Sequence, residues 1–314
     1  MTPEQIVHNL ALHIRNAVRP HLGSMLSRKL MGVAVSGDTT FAIDEIAEDA
    51  IVSFIEERGL SIAYYSEDRG LIEFGQHPEG VLVIDPIDGT RPAMAGFEQC
   101  VVSVAYADYK PGVTLGDVRF GCIAELKQDD VFLAERGKGV KWLRGDGSLQ
   151  APRLLPITRI DRAPLTFEIA ARPLRYIAAA AGEIVDACSL NAGCFSISST
   201  AFSLTRLVSG QLAAVIDIGP RIIVDVPAAR PAFHALGGGK MIGLFTYDVA
   251  AAALIAIEAG AIVTDAYGHP LDSTPLLDTS QENLRSMCAA TTPELHAALL
   301  RSLDDGIAHL SGTI

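Results

Sequence analysis

Six β-rich runs crowd into the stretch between residues 61 and 143: "SIAYYS" (61–66), "GVLVID" (80–85), "CVVSVAYADY" (100–109), "DVRFGCIAEL" (117–126), "DVFLAE" (130–135) and "GVKWL" (139–143). The intervals between them hold turn residues, and strands in such close succession predict a mainly antiparallel sheet. From about residue 165 the texture changes. Apolar strands such as "LTFEIA", "CFSIS" and "QLAAVIDI" alternate with alanine-rich helical segments such as "AGEIVDACSL" and "TAFSLTRLVSG", a pattern that predicts a mixed sheet with helices. The polar, proline-containing segment "GDGSLQAPRLLPITRID" lies between. It divides the chain into an N-terminal α+β part (1–150) and a C-terminal α/β part (151–314), and no internal repeat or low-complexity segment is present. A chain of 314 residues that is 49% hydrophobic is long enough for one large core or two domains sharing an interface.

Two amphipathic helices precede the strands. Ile6, Leu10, Ile14 and Val18 recur at four-residue steps. Ile43, Ile46, Ala47, Ala50, Ile51, Phe54 and Ile55 share a second face, with Gly59 as the C-cap. The first twenty residues lack the apolar block of a signal peptide, and the longest apolar run, 249–257, is too short to span a bilayer. A soluble, cytoplasmic protein is therefore expected, with no membrane partner. The five cysteines are scattered without paired spacing, which suggests neither a zinc site nor a disulfide framework. A formal net charge of −12 with no Lys/Arg cluster argues against a nucleic-acid partner. An anionic small molecule remains compatible, provided divalent cations reverse the local sign.

The stretch "VLVIDPIDGTRP" (81–92) runs an apolar strand straight into Asp85 and Asp88. Pro86 disfavours helix at Asp85, and Gly89 permits close backbone approach to a ligand, so both carboxylates can converge at a strand end. Thr90 is placed to cap a short helix through "RPAMAG", whose first-turn amides suit a phosphate. Taken alone, Asp, Pro and Gly are equally common as ordinary turn formers. Other acids lie where they can join the pair. Glu67 and Asp68 follow a strand in "YYSEDRG", Asp248 stands at the start of the apolar helix "VAAAALIAIEAG", and Asp44 opens the second helix. Solvated strand ends and N-caps are the plainer explanations for each.

Together these segments resemble the inositol monophosphatase superfamily, which includes fructose-1,6-bisphosphatase and 3′-phosphoadenosine-5′-phosphate phosphatase. The resemblance covers most of the chain. "DPIDGT" is its most specific motif, and "YDVAAAALIAIEAGAIVTDAYG" is similar to the C-terminal signature, with Tyr247 where tryptophan is usual. "SED" stands for a Glu-Glu pair, and "GDTTFAIDEIAEDAI" resembles the first motif. "SSTAFSLTRLVSGQLAAVID" is similar to the segment that opens Gly-Ser and closes in a substrate-binding Glu. Here Ser198 replaces that glycine and Asp217 stands for the Glu.

The resemblance implies a layered αβαβα sandwich and a magnesium-dependent phosphomonoesterase that is lithium-sensitive and homodimeric. It implies two or three Mg²⁺ ions, replaceable by Mn²⁺, on Glu67, Asp68, Asp85, Asp88, Asp248 and the carbonyl of Ile87. Such hard oxygen donors suit magnesium better than zinc. Carboxylates ~4 Å apart repel by ~1 to 4 kcal/mol per pair, so the cluster calls for cations. Thr90, Glu67 and Asp44 are implied as the catalytic group that orients and deprotonates water. Asp88, Gly89, Thr90, Arg91, Ser198, Ser199, Thr200 and Asp217 are implied as substrate-binding. The substrate is a small phosphate ester; a polyol or sugar monophosphate fits the hydroxyl acceptors. A bisphosphate or a nucleotide would need the positive charge of Arg91, Arg206 or Arg221. A catalytically silent relative that binds a phosphate or a protein partner is the non-enzymatic alternative.

The chain departs most from the pattern in the spacing of two acids. The substrate-binding acid and the last metal aspartate normally lie a few residues apart, whereas Asp217 and Asp248 are thirty-one apart. A rival, Asp225 in "VDVPAA", sits closer to the usual distance. Pro227 and Pro231 argue against a long helix after Asp225, which favours Asp248, and residues 218–246 are then expected as an extra strand and loop. "LGGGKM" (236–241) lacks the spacing of a phosphate loop and is read as a plain loop.

Overall fold

The structure, a computed structural model, describes residues 1–35 and 39–313. Gly37 and Asp38, which open the motif "GDTTFAIDEIAEDAI", lie outside the described residues. Helix α1 (Pro3–Val18) is followed by a ribbon of β1 (Leu30–Val33) and β2 (Thr39–Phe41), then helix α2 (Ala42–Glu57). Next come β3 (Ala63–Ser66), β4 (Gly70–Glu73), β5 (Gly80–Asp88), the short helix α3 (Thr90–Ala95), β6 (Val101–Asp108), β7 (Val118–Glu125), β8 (Val131–Glu135), β9 (Val140–Leu143) and β10 (Leu149–Gln150). These strands form one sheet in the order β10-β9-β8-β7-β6-β5-β3-β4. Every pairing in it is antiparallel except β3 with β5, in keeping with the short connections.

The second half supplies β11 (Leu165–Phe167), α4 (Leu174–Ser189), β12 (Cys194–Phe195), α5 (Thr200–Val208), β13 (Ala214–Asp217), α6 (Gly219–Asp225), α7 (Arg230–Leu236), α8 (Thr246–Glu258), β14 (Ile262–Thr264), β15 (Met287–Ala290) and α9 (Pro293–Thr313). Its sheet runs β12-β11-β13-β15-β14. The first three strands are parallel and the remaining pairings antiparallel.

Side-chain alternation fixes five layers. In the first sheet Leu82, Ile84, Val102 and Val104 pack with α1 and α2. Val81, Val83, Val101 and Ala105 face the opposite way and pack with α5 and α8. In the second sheet Val215 and Ala289 join that same central core, whereas Ala214, Ile216, Cys288 and Ala290 pack with α4 and α9. Each strand thus feeds two cores through its period of two. Helix α8 lies between the sheets and is buried on nearly every side, which explains why "VAAAALIAIEAG" is apolar all round rather than striped.

The expectation of a strand in 218–246 is corrected: α6, a single 3₁₀ turn at Pro227–Ala229 and α7 occupy it. Pro220, Pro227 and Pro231 each fall in the first turn of one of these pieces, where proline costs no hydrogen bond and pre-sets the helical φ. All five cysteines are free. Among the described residues no helix is long and apolar enough to cross a membrane.

Candidate active site

The ladder between β5 and β6 runs in register to Asp85 and then shifts before Asp88. The irregularity turns both carboxylates away from the regular alternation. The Asp85 side chain accepts the amide of Ile87 at 3.0 Å, a local turn that the proline between them enforces. Gly89 follows with φ +94°, and a Cβ there would lie 2.5 Å from the carbonyl oxygen of Gln99, so only glycine fits. Gly89, rather than Thr90, is the cap of α3. Thr90 is the first helical residue, and its hydroxyl lies 3.3 Å from Asp44 Oδ1 and 3.2 Å from the carbonyl of Ile87.

Asp248 arrives from the other half of the chain. It is the third residue of α8, and its Oδ2 accepts the amide of Phe245 at 2.7 Å. Oxygens of Asp85, Asp88 and Asp248 all lie within 4.8 Å of one another. Asp225 is elsewhere: it pairs with Arg221 at 3.1 Å and accepts the Tyr267 hydroxyl at 2.8 Å. Asp88 also joins the two halves, since its Oδ2 accepts the amide of Ala201, and Ser199 donates to its carbonyl at 3.2 Å.

Electrostatics follow from this crowding. Burial, then the charges of Asp88, Glu67 and Asp248, holds the Asp85 carboxyl well above the usual range. Burial foremost pushes Asp88 up to about 7. Asp248 is raised by burial and then by Asp88. Three carboxylates this close, Asp85 and Asp88 buried and Asp248 half-buried, resist being charged together. A divalent cation relieves the strain, and hard carboxylate oxygens are the donors magnesium prefers, so the donor set fits that ion.

These acids line a cleft that is open to solvent. Asp44, Glu67, Asp68, Ile87, Gly89, Thr90, Arg91, Ser198, Ser199 and Thr200 also line it. Asp68 accepts from Thr40 Oγ1 at 2.5 Å. Every site residue read from the sequence therefore reaches the cleft except Asp217; of the three arginines considered for a second anion, Arg91 lines the cleft, whereas Arg206 pairs with Glu125 and Arg221 with Asp225 and Asp304. The Asp217 carboxylate is 1% exposed and is held by Arg172, through Nε at 3.1 Å and through Nη2. The reading of Asp217 as a residue that touches substrate does not match this placement, because Arg172 stands between it and the cleft.

Glu168 and Arg172 line the cleft instead, and sequence reasoning missed both. A signal was available, because Glu168 directly follows strand β11 as Glu67 directly follows β3. Ala171 and Ser198, which also line the cleft, are the two non-glycine residues with positive φ among the described residues, at 55° and 59°. Backbone strain of this kind gathers at functional sites.

The model of the "Inositol monophosphatase family" matches residues 5–308. A "Fructose-1,6-bisphosphatase/inositol-1-monophosphatase" of Methanothermobacter thermautotrophicus is 25% identical over 94% of this chain and 94% of its own. Human "Inositol monophosphatase 2" is 25% identical over 85% of this chain and 82% of its own. Among solved structures, a Pyrococcus horikoshii protein described as having similarities to inositol-1 monophosphatase superposes with a TM-score of 0.67 at 22% identity, over 95% of this chain and 96% of that one. That likeness shows the fold.

Proposed function

Because the chain belongs to the inositol monophosphatase family of phosphomonoesterases, we propose that it hydrolyses a small polyol or sugar monophosphate with the help of Mg²⁺, which Mn²⁺ can replace. The observation that carries this reading is the convergence of Asp85, Asp88 and Asp248 within 4.8 Å from two halves of the chain, beside a threonine hydroxyl held by Asp44 and Ile87.

Asp85, Asp88, Asp248 and Glu67 would hold the cations, with the Ile87 carbonyl as a further donor and Asp68 supporting a weaker site. Bound there, divalent cations supply charge neutralisation for the phosphate and a lowered pKa for water. The chain's own work is positioning, since phosphoryl transfer asks little covalent chemistry of the protein. Asp44 is anchored by the amide of Phe41 at 2.8 Å, and it fixes the Thr90 hydroxyl. With that proton directed at Asp44 or Ile87, the Thr90 oxygen is left to accept from a water. Glu67, at the end of β3, takes the proton that this water gives up. The first-turn amides of α3 have no helical partners and suit phosphate oxygens. Lithium sensitivity and a homodimer belong to the same reading.

Phosphate release from a panel of esters tests it: cyclitol and sugar monophosphates, fructose 1,6-bisphosphate and 3′-phosphonucleotides, each with Mg²⁺ and with excess EDTA. Turnover that persists in EDTA overturns the metal requirement, and release from none of the esters makes the chain a silent relative.

A further inference from the structure

Asp217 occupies the sequence position that resembles the family's substrate-binding acid, yet its oxygens are already engaged. They accept from Nε of Arg172 at 3.1 Å, from Nη2 of the same residue, and from the amide of Gly219 at 3.1 Å. The site is built around this pair: a Cβ on Gly219 would lie 2.8 Å from Arg172 Cγ. The groups presented to the cleft at this end are Glu168 and Arg172. Glu168 Oε1 is fixed by the amide of Ala170 at 2.7 Å, and Arg172 Nη1 donates to the Ala170 carbonyl at 2.5 Å. The connecting turn passes through Ala171 at φ 55°. A guanidinium has five N–H groups, and three of those on Arg172 serve these contacts. Asp217 balances its charge, which leaves the Glu168 carboxylate as the net charge of the trio.

A sugar hydroxyl both donates and accepts. Resting on the phosphomonoesterase reading above, we infer that Glu168 and Arg172 recognise a hydroxyl of an uncharged leaving group as acceptor and donor, and that Asp217 is a positioning residue that holds Arg172. A leaving group bearing a second phosphate meets the Glu168 carboxylate as a like charge, so a polyol monophosphate is preferred to a bisphosphate.

The test compares kcat and KM for a cyclitol monophosphate and for 4-nitrophenyl phosphate, which has no hydroxyl to read. Glu168→Gln keeps the shape and removes the charge. It is expected to raise KM for the cyclitol ester about tenfold more than for the aryl ester, the worth of one hydrogen bond to a charged group; the change the two esters share reports only the lost charge near Asp88. An equal change for both esters, or none, overturns the assignment of Glu168. For Asp217 the readout is a double-mutant cycle. Asp217→Asn raises the cyclitol KM in the wild-type background and adds nothing once Arg172→Gln is present; an undiminished effect in that background returns Asp217 to direct substrate contact. If wild-type protein cleaves neither ester, the phosphatase reading fails on its own. Calorimetric binding of the cyclitol phosphate with Mg²⁺ then judges the inference: weaker binding by Glu168→Gln than by wild type supports it, and equal affinity or no wild-type binding overturns it.

Discussion

Asp44 and Asp248 occupy the same local geometry in opposite halves of the chain. Each is the third residue of its helix, and each accepts the amide of a phenylalanine three residues earlier, Phe41 at 2.8 Å and Phe245 at 2.7 Å. The sequences F-A-I-D and F-T-Y-D therefore do one mechanical job: one carboxylate oxygen is used to start the helix, and the carboxyl is thereby aimed into the cleft. Their tasks differ because only Asp248 reaches Asp85 and Asp88, whereas Asp44 reaches Thr90.

The first prediction separates Asp248 from Asp225. Asp248→Asn keeps an oxygen for the Phe245 amide and removes one of three crowded charges. Turnover with Mg²⁺ should fall by about two orders of magnitude or more, as for loss of a group that acts on the transition state. The metal-free protein should melt at a higher temperature, because a charge that repels Asp85 and Asp88 is gone. Asp225→Asn should leave turnover unchanged and loosen only the contacts to Arg221 and Tyr267. Magnesium titrations and calorimetry of both variants decide, and a reversed pattern would move the ligand role to Asp225.

The pH dependence follows from Asp88, whose carboxyl is pushed up to about 7 by burial. A carboxyl with a raised folded-state pKa contributes stability that is full below its unfolded value, about 3.9, and is lost as pH rises through the folded value. The metal-free protein should therefore lose stability between pH 4 and about 7. Asp85 and Asp248, raised in the same direction, add to the loss. Glu48, raised to about 7 chiefly by burial, titrates in the same window, so Asp88→Asn identifies the share due to the cluster. Saturating Mg²⁺ should flatten or reverse the slope. Melting temperatures across that range, with EDTA and with Mg²⁺, give the answer; a metal-free protein that gains stability toward pH 7 contradicts it.

Thr90 is expected to act on the water through its hydroxyl and on the phosphate through its amide. Thr90→Ala should lower kcat by about 10²-fold, in the range of a lost acid–base contact, with KM nearly unchanged because the amide stays. Thr90→Ser, which retains the hydroxyl that reaches Asp44 and Ile87, should be mild. A large rise in KM at constant kcat would make Thr90 a ground-state binding residue.

The parts of this site that were legible in the sequence are those where local chemistry dictates direction. The run from Val81 to Asp88 is buried at every position, so its unbroken apolar character and its two aspartates could be read together. Asp248 was legible because the helix after it is apolar on all sides. Asp217 was not, because its direction is set by Arg172, forty-five residues away in the chain, and no local pattern reports a partner at that distance. Residues 218–246 misled for a different reason. "RIIVDV" is β-branched and apolar, but Pro220 in the first turn of α6 starts a helix, and packing against the second sheet overrides propensity.

The last prediction concerns Ser198, which replaces the glycine of the resembling motif and sits at φ 59°. An L-residue in this region carries backbone strain of about 1 kcal/mol that glycine does not. Glycine, in turn, loses more chain entropy on folding, by about 0.4 to 1 kcal/mol. The two terms nearly cancel, so Ser198→Gly should shift stability by less than about 1 kcal/mol. Ser198→Val combines a β-branched side chain with the same φ and should destabilise by more than that, since such residues are genuine outliers there. Because Ser198 lines the cleft, the glycine variant also isolates the hydroxyl: any rise in KM for a polyol phosphate, at unchanged melting temperature, is the part that this side chain plays in binding. Denaturant melts and steady-state kinetics on the two variants separate strain from recognition, and a glycine variant that melts well below wild type would show that the serine hydroxyl holds the loop.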